Sequence, residues 1–302
     1  CKELLDKPVD LVLPNGFEND FVPKGATFTK KRKAARKRLL DVANALTGSE
    51  FSDDTLIVST SGRYEFRNKG IDVFIEAMNR LRFDENLKKE VVAFIEVPGW
   101  VNSPRQDLID RLNSGESFDT PLDMPLLTHW LNEQEHDNVM NMAQSLGIRN
   151  AKDDKVKLIF VPCYLTGDDG VLNMSYYDLV LGNDLCVYPS YYEPWGYTPL
   201  ESVAFKTPCI TTDLSGFGQW VNAELGHAGR LSDGVSVLHR DDNNYFECAD
   251  AMCADIRNYL EMNEPTRATI RQRAEEFAEK AQWKHFVRHY YAAYDFALRH
   301  RN

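Results

Sequence analysis

The sequence predicts an α/β fold in which a doubly wound parallel sheet carries helices on both faces. Six apolar runs of strand length recur along the chain, and amphipathic helical patterns lie between them. With 43% hydrophobic residues among 302, the chain can bury a substantial core. Because ligands of such folds bind beyond the carboxyl ends of the strands, the loops that follow the strands are the places to look for a site.

Each predicted strand is a short apolar run between polar or turn-forming residues. The six runs are residues 10–13, 56–60, 91–97, 156–161, 185–188 and 209–212. The first predicted helix after a strand follows Gly70, where apolar residues recur at the i, i+3, i+4, i+7 spacing of an amphipathic helix. These residues are Ile71, Phe74, Ile75, Met78 and Leu81.

Two parts of the chain depart from the strand and helix rhythm. Residues 99–150 contain a polar stretch and then a helical pattern over 133–146, which indicates an insertion or a long crossover. Residues 245–301 predict helices, and the aromatic-rich segment 286–298 predicts a terminal helix, within 285–302, that docks on an apolar surface. We expect residues 1–302 to form one domain.

Nine residues, 30–38, carry seven lysines and arginines and form the most conspicuous charge feature. A basic run of this kind is compatible with polysaccharide contact. The simpler interpretation is a solvated helix face ahead of Leu39 and Leu40.

Charge and cysteine usage restrict the class of protein. A net charge of −11 argues against binding nucleic acid or an anionic membrane through overall charge. No apolar run approaches the roughly 20 residues that span a bilayer. The six cysteines show no zinc-like or Cys-x-x-Cys spacing, which favours a reducing, cytoplasmic setting. They are Cys1, Cys163, Cys186, Cys209, Cys248 and Cys253.

The strongest candidate for a ligand site is segment 185–203, where a strand leads through an aromatic-rich loop into a helix. Thr198 suits the N-cap, and Glu201 lies three residues later, which is the spacing of a capping box. A helix that begins here directs the N–H groups of Gly196, Tyr197 and Thr198 above the sheet. These donors favour an anion such as a pyrophosphate.

The two glutamates of this segment predict different roles. A carboxylate beside an anion-binding helix start is electrostatically unfavourable, so we expect Glu193 to face neutral hydroxyl groups such as those of a sugar. Glu201 lies within the predicted helix. Capping and contact with a ribose are both open for it.

Two further loops follow predicted strands. Residues 61–70 contain Arg63 and Lys69, which can converge on one pyrophosphate, the arginine as a planar fork and the lysine as a point charge. Residues 214–218 contain two glycines that allow a tight turn and close approach of backbone to a ligand. The phosphate-loop, dinucleotide and nucleophile-elbow motifs are absent from the sequence.

Three stretches, in this order, closely resemble glycogen synthases of the animal and fungal type. The first is Ser61-Gly62-Arg63-Tyr64-Glu65-Phe66-Arg67-Asn68-Lys69-Gly70, the second covers Tyr188-Pro189-Ser190-Tyr191-Tyr192-Glu193-Pro194-Trp195-Gly196-Tyr197-Thr198-Pro199, and the third is residues 210–218. The resemblance implies the Rossmann-like donor-binding domain of a two-domain GT-B glycosyltransferase. It also implies that the amino-terminal acceptor domain is absent from this chain.

The resemblance also implies a reaction and roles for residues. The family transfers glucose from UDP-glucose to an α-1,4-glucan with retention, and it uses no metal or other cofactor. Arg63 and Lys69 then bind the diphosphate, and Glu193 holds the transferred glucose. Glu201 lies near the ribose, and Tyr176 stacks on the nucleobase. The backbone of Gly196, Tyr197 and Thr198 adds donors at the diphosphate.

One departure and several alternatives remain. Residues 267–273 contain three arginines, where eukaryotic members have a dense cluster that senses glucose 6-phosphate. This predicts a bacterial relative without that regulation. Another donor such as ADP-glucose, or a carbohydrate-binding module without catalysis, remain alternatives. Expected partners are the nucleotide sugar, the α-glucan, the amino-terminal domain of the same polypeptide and, as an open possibility, further copies of this chain.

Overall fold

The computed structural model describes residues 6–300, which contain one six-stranded parallel sheet with helices on both faces. A two-stranded antiparallel sheet accompanies it. The strands are β1 (Leu56–Ser61), β2 (Val91–Glu96), β3 (Val101–Pro104), β4 (His129–Leu131), β5 (Val156–Val161), β6 (Leu185–Val187), β7 (Cys209–Thr212) and β8 (Val235–Leu238).

The α-helices of residues 6–300 alternate with these strands until the last third of the chain, which is helical as the sequence predicts. They are α1 (Gly25–Thr47), α2 (Ile71–Arg82), α3 (Gln106–Ser114), α4 (Asn138–Ser145), α5 (Tyr176–Val180), α6 (Tyr197–Ala204), α7 (Gly216–Leu225), α8 (Tyr245–Glu261), α9 (Glu264–Lys280) and α10 (Trp283–Arg299). Within the described range, no helix is both long enough and apolar enough to cross a bilayer.

The main sheet has the order β5-β2-β1-β6-β7-β8. Numbered within this sheet alone, the order is 3-2-1-4-5-6, which is the doubly wound arrangement. All five neighbouring pairs are parallel, and β1 pairs with β2 from Leu56↔Val91 to Ser61↔Glu96. The direction of winding reverses between β1 and β6, so the loops after these two strands border the crevice where such folds bind ligands.

Successive side chains of each strand point to opposite faces of the sheet, and this divides the apolar core into two layers. Leu56 and Val58 of β1 face α2 and α8, whereas Ile57 faces α1 on the opposite side. The spacing that predicts α2 is confirmed, because its five diagnostic apolar residues are at most 1% exposed. The predicted α/β fold is therefore confirmed in its sheet, in its layers and in this helix.

Several local predictions are wrong. Residues 10–13 form no strand and pair with none of the strands between residues 6 and 300, which leaves Val12 82% exposed. The helix predicted over 133–146 begins only at Asn138, after a 3-10 turn. The sequence patterns missed β3, β4 and β8, which are strands of three or four residues.

The basic run does form a helix, α1, but the expectation of a solvated face is wrong for three of its arginines. Arg32 and Arg36 pair with the buried carboxylate of Asp184 at 3.1 and 2.6 Å. The Arg38 guanidinium donates to the backbone carbonyls of Val171 and Leu172. These arginines anchor the helix to the loops at the sheet because their long side chains reach acceptors that sequence spacing does not reveal.

Residues 97–155 connect β2 to its sheet neighbour β5. The connection contains the β3–β4 hairpin together with α3 and α4. Arg105, whose side chain is fully buried, donates to the carbonyls of Asp123, Met124 and Leu127 and lies 4.4 Å from the centroid of the Trp130 ring. The crossover is therefore an ordered layer beside the sheet.

Candidate functional site

Hydrogen bonds join the loops that follow β1, β6 and β7 at the carboxyl edge of the sheet. The Tyr191 N–H donates to the Asn68 carbonyl at 2.7 Å, which links the loops after β6 and β1. The Gly216 N–H donates to the Glu193 carbonyl at 3.0 Å, which links the loops after β7 and β6. The structure thus brings together the three loops that the sequence singled out, where the strand order reverses.

Lys69 and Glu193 form an ion pair at the centre of this region, in which the Lys69 ammonium donates to Glu193 Oε2. Their side chains are only 14% and 17% exposed. Glu193 Cγ lies 3.5 Å from the position that a Cβ would take at Gly196, just before α6. The pair therefore sits beside the start of that helix, and each charge is neutralised by the other.

The predicted capping box at Thr198 and Glu201 is wrong. Helix α6 begins at Tyr197 with Gly196 as its N-cap, and no side chain caps it. Gly196 has φ 111°, a value that L side chains rarely adopt, and this turn starts the helix two residues earlier than a Thr198 cap would. Glu201 then lies in the second turn, beyond the first N–H groups.

The start of α6 offers backbone donors as predicted. The first N–H groups of a helix have no intrahelical acceptor. Those of Gly196, Tyr197 and Thr198 also find no acceptor elsewhere between residues 6 and 300. A Cβ at position 196 would approach Ser215 Oγ to 2.9 Å, so glycine allows the loops after β6 and β7 to pack this closely. The helix start is thus available to an anion.

Glu201 is held by a tertiary contact. The Tyr177 hydroxyl donates to Glu201 Oε1 at 2.9 Å, which ties α5 to α6. Burial raises the pKa of Glu201, and the hydrogen bond from Tyr177 opposes that rise. The Tyr177 ring stacks on Phe205 at a centroid distance of 5.4 Å. Tyr177 is a residue that the sequence patterns did not single out.

Tyr176 lies next to the loop after β1. Its ring is half-buried, and its hydroxyl accepts a hydrogen bond from Ser61 Oγ at 3.3 Å. Burial raises the pKa of this hydroxyl well above its usual value. Tyr176 and Glu201 therefore belong to the same edge of the site, joined through Tyr177.

Arg63 is placed differently from Lys69. Its side chain is 73% exposed and pairs with Glu65 at 3.0 Å. Lys69 instead holds Glu193, so the two cations bind different carboxylates. Convergence of Arg63 and Lys69 on one pyrophosphate stays a prediction.

Arg240 is a buried cation that supports the site and that the sequence patterns missed. It follows β8, and its guanidinium donates to the Pro189 carbonyl and lies 5.5 Å from the centroid of the Tyr191 ring. Its backbone N–H donates to Asp213 Oδ1 at 3.0 Å. An arginine that follows a recognised strand would have been a candidate, but the sequence patterns missed β8.

Between residues 6 and 300, one group of side chains has metal-ligand chemistry. The ligand atoms of His129, Cys163 and Asp169 lie within 4.8 Å of one another. Both ring nitrogens of His129 already have partners, Thr128 Oγ1 at 2.8 Å and the Asp169 carbonyl at 2.9 Å. The Asp169 carboxylate accepts from three backbone N–H groups. A metal would have to displace these hydrogen bonds. The arrangement of the three side chains therefore serves the structure of the loop.

The three arginines of residues 267–273 all have partners within the chain. Arg267 donates to the carbonyls of Tyr259 and Leu260, Arg273 donates to the Ser232 carbonyl at 2.7 Å, and Arg271 pairs with Glu264. The contacts of Arg267 and Arg273 hold α9 to α8 and to the turn before β8, whereas the Arg271–Glu264 pair lies within α9. The absence of regulation by glucose 6-phosphate stays a prediction.

Comparison with known proteins identifies relatives along the whole chain. The family model described as glycogen synthase matches residues 1–111 and 119–302. Glycogen (starch) synthase isoform 2 of Saccharomyces cerevisiae is 27% identical over 99% of this chain and 51% of its own length. The Neurospora crassa glycogen (starch) synthase is also 27% identical, over 99% of this chain and 50% of its length. The liver enzyme of Mus musculus is 27% identical over 96% of this chain and 48% of its length.

Solved structures share the fold at lower identity. WaaG, a glycosyltransferase involved in lipopolysaccharide biosynthesis, superimposes with a TM-score of 0.55 at 16% identity, over 97% of this chain and 58% of that chain. Sucrose-phosphate synthase from Thermosynechococcus elongatus gives a TM-score of 0.51 at 19% identity, over 95% and 52%. The fold is thus the Rossmann-like α/β fold of GT-B glycosyltransferases. The chain spans about half the length of the curated relatives it matches.

Proposed function

Because this chain belongs to the glycogen synthase family, we propose that it is the donor-binding half of an enzyme that transfers glucose from UDP-glucose to an α-1,4-glucan. The transfer proceeds with retention at the anomeric carbon, in the cytoplasm, and requires neither metal nor other cofactor. The observation that carries the proposal is the shielded Lys69–Glu193 pair beside the free N–H groups at the start of α6. A diphosphate matches the Lys69 ammonium and the N–H groups, and a sugar matches the Glu193 carboxylate.

The Lys69–Glu193 pair is the part of the site that the donor rearranges. When UDP-glucose binds, the Lys69 ammonium turns to the diphosphate, and the Glu193 carboxylate accepts hydrogen bonds from hydroxyl groups of the glucose. In the absence of donor the two side chains compensate each other, so neither charge is left buried and unpaired. This exchange resolves the conflict between a carboxylate and an anion-binding helix start.

The departing diphosphate needs fixed positive groups because glycosyl transfer passes through an oxocarbenium-like state while negative charge accumulates on the leaving group. The Lys69 ammonium and the backbone N–H groups of Gly196, Tyr197 and Thr198 are these positive groups. Arg63 is 73% exposed, and it leaves its surface pair with Glu65 to join them when the donor is bound.

The nucleoside lies on the α5 side of the crevice. The half-buried ring of Tyr176 stacks on the base, and Glu201 accepts a hydrogen bond from a ribose hydroxyl with the oxygen that Tyr177 does not occupy. The hydrogen bonds from Ser61 to Tyr176 and from Tyr177 to Glu201 fix both side chains before the nucleotide arrives.

The acceptor side of the reaction is supplied by the part of the protein that is not in this chain. Helix α10 is the contact element, because its first turn packs on the donor loop through Phe286 and Trp195 while later aromatic residues are exposed. This exposed face docks on the amino-terminal half of the same polypeptide. Transfer therefore requires both halves, and the chain alone binds the donor without turnover.

Calorimetric titration of this chain with UDP and UDP-glucose tests the donor site. We expect the Lys69→Ala variant to lose at least about tenfold in affinity for UDP, since one hydrogen bond to a charged group contributes roughly 1.5–3 kcal/mol. Lys37→Ala is the matched control, because Lys37 is 74% exposed and pairs with Asp41 on the surface.

Four outcomes would contradict the proposal. Absence of UDP binding, or equal binding by native chain and Lys69→Ala, removes the diphosphate role of this site. Tighter binding of ADP than of UDP shows that the donor has been assigned to the wrong base. Unchanged glucose transfer by the complete protein carrying Glu193→Ala removes Glu193 from the mechanism.

A further inference from the structure

Glu96 is a buried carboxyl group that ends β2 at the carboxyl edge of the sheet. It is 4% exposed, and neither of its carboxyl oxygens has a hydrogen-bond partner within residues 6–300. A buried polar group without a partner costs free energy, and folded proteins contain few of them. Glu96 is therefore a candidate for contact with a molecule that is not part of this chain.

The position of Glu96 in the sheet places it next to the nucleoside side of the donor site. Its register partner on β1 is Ser61. The side chains of register partners point to the same face of a sheet, on strands about 5 Å apart. The Ser61 hydroxyl donates to the Tyr176 hydroxyl at 3.3 Å. The hydroxyl end of the Tyr176 ring is thus directed at the row of the sheet that contains Glu96.

The loop after β5 borders Glu96 on the other side. Val161 is the register partner of Glu96 on β5, and Cys163 follows two residues later. Burial, followed by the charges of Asp169 and Glu96, raises the pKa of the Cys163 thiol to about 12. The same loop leads to Tyr176, whose N–H donates to a carbonyl within it. Glu96 therefore lies between the ends of β1 and β5, beside the hydroxyl end of the Tyr176 ring.

The surroundings of Glu96 favour its neutral form. Burial raises its pKa to about 8, and no hydrogen bond from the described part of the chain offsets that burial. A neutral carboxyl group presents one O–H donor and one carbonyl acceptor side by side. Uracil presents the complementary pair at its imide edge, where the N3–H lies next to a ring carbonyl. Glu96 thus offers two hydrogen bonds to such an edge.

We propose that Glu96 recognises the nucleobase of the donor, and that its carboxyl group forms two hydrogen bonds with the imide edge of a uracil ring stacked on Tyr176. The inference rests on the proposed function, in which Tyr176 stacks on the base. Both Glu96 oxygens are closed to solvent, so the base reaches them as the half-buried Tyr176 ring turns to stack on it. The base then supplies the partners that Glu96 lacks.

Calorimetric titration of this chain at pH 7 with UDP and with N3-methyl-UDP tests the contact. We expect the native chain to bind UDP at least about tenfold more tightly than the analogue, because methylation removes the N3–H donor and leaves the carboxyl group without its partner.

Two variants of Glu96 separate a hydrogen bond from a packing effect. Glu96→Leu removes the carboxyl group at similar volume, so it should bind UDP at least about fivefold more weakly. Its preference for UDP over the analogue should fall to about twofold or less, because the methyl group no longer removes a bond. Glu96→Gln keeps one donor and one acceptor, and it should bind UDP within about twofold of the native chain.

Asp255→Leu is the matched control for the loss of a buried carboxyl group. Asp255 is half-buried on α8, and it accepts a hydrogen bond from the Ser236 hydroxyl at 2.6 Å. Burial raises its pKa as well. Because Asp255 lies outside the loops of the donor site, its replacement should leave the affinities for UDP and for the analogue unchanged.

The outcomes separate this contact from the donor site itself. If UDP binds through Lys69 but the native chain binds both nucleotides equally, the role of Glu96 is refuted and the donor proposal stands. The same conclusion follows if Glu96→Leu keeps the native affinity or the native preference. If Glu96→Leu does not fold, the comparison of the two nucleotides on the native chain and the UDP affinity of Glu96→Gln decide. Absence of UDP binding to the native chain overturns both proposals.

Discussion

Glu96 is a buried carboxyl group at the carboxyl end of β2. It is 4% exposed, and neither carboxyl oxygen has a hydrogen-bond partner within the described part of the chain. Its register partner on β1 is Ser61, whose hydroxyl contacts Tyr176, so Glu96 lies on the same face of the sheet near the nucleoside side of the site. Burial raises its pKa to about 8.

The raised pKa of Glu96 predicts that the protein loses stability as the pH rises. The folded state holds the proton more tightly than the unfolded state, whose carboxyl has the usual pKa of 4.5. The contribution is therefore complete below pH 4.5 and is lost as the pH rises through about 8. Glu96→Gln should stabilise the protein at pH 8 by on the order of 2–4 kcal/mol and flatten the profile between pH 5 and 8.

Urea unfolding at several pH values measures this effect. Glu85→Gln serves as the control because Glu85 is exposed and lies outside the sheet. Parallel profiles for native protein and Glu96→Gln would show that Glu96 is not protonated in the folded state.

Single residues of the site were predictable where their type was unusual for the position. Glu193 and Lys69 stand out as charged residues in loops that follow buried strands, and the structure pairs them. For Glu201 the sequence left capping and ribose contact open, and the structure excludes the capping box because α6 begins at Tyr197. Its partner Tyr177 is 24 residues away in the chain, beyond any local pattern.

Among the elements, α1 shows how a basic run can have a structural purpose. Asp184 Oδ2 accepts from Arg36 at 2.6 Å and from the Ile57 backbone N–H at 2.9 Å, and Asp184 Oδ1 accepts from Arg32 at 3.1 Å. One carboxylate, 8% exposed, thereby joins α1, β1 and the turn before β6.

Removing this carboxylate should therefore destabilise the protein strongly. We expect Asp184→Ala to lower the free energy of unfolding by roughly 3–5 kcal/mol, because two partly buried arginines and a buried N–H group lose their acceptor. Asp41→Ala breaks only an exposed i,i+4 pair with Lys37 and should cost about 0.5 kcal/mol or less. Chemical denaturation of both variants measures the difference, and similar losses would contradict the anchoring role of Asp184.

At the scale of the whole molecule, α10 is divided between two environments. Phe286 is 2% exposed and packs against Trp195 and Trp220 at centroid distances of 5.8 and 5.3 Å. One to two turns later, Tyr291 and Tyr294 are 62% and 61% exposed. The predicted docking of segment 286–298 is thus right for Phe286. Tyr290 is half-buried beside Trp283, whereas Tyr291 and Tyr294 lie open to solvent.

This division predicts different effects of two substitutions in one helix. Phe286→Ala should destabilise the chain by roughly 3–5 kcal/mol, since it leaves a cavity between two tryptophan rings. Tyr291→Ala should change its stability by no more than about 0.5 kcal/mol. In the complete protein, we expect Tyr291→Ala to become destabilising as well, because the proposed contact with the amino-terminal half would cover its ring. Thermal melting of both variants, in this chain and in the complete protein, measures these effects. An unchanged melting temperature of the complete protein carrying Tyr291→Ala would exclude the contact.

The sequence by itself determined five of the six strands of the main sheet, their alternation with helices, and the three loops that meet at the carboxyl edge of the sheet. Strand and helix periodicity are local properties, and parallel strands of a doubly wound sheet direct their following loops to one edge. The short strands β3, β4 and β8 escaped, whereas β6 and β7, which are no longer than these, were recognised.

Only the tertiary structure decided which side chains meet. The Lys69–Glu193 pair, the Tyr177–Glu201 bond and the Asp184 anchor join residues that are 124, 24 and about 150 positions apart. The positive φ of Gly196 decided where α6 begins. Such contacts depend on the distances between packed elements, and no periodicity along the chain encodes those distances.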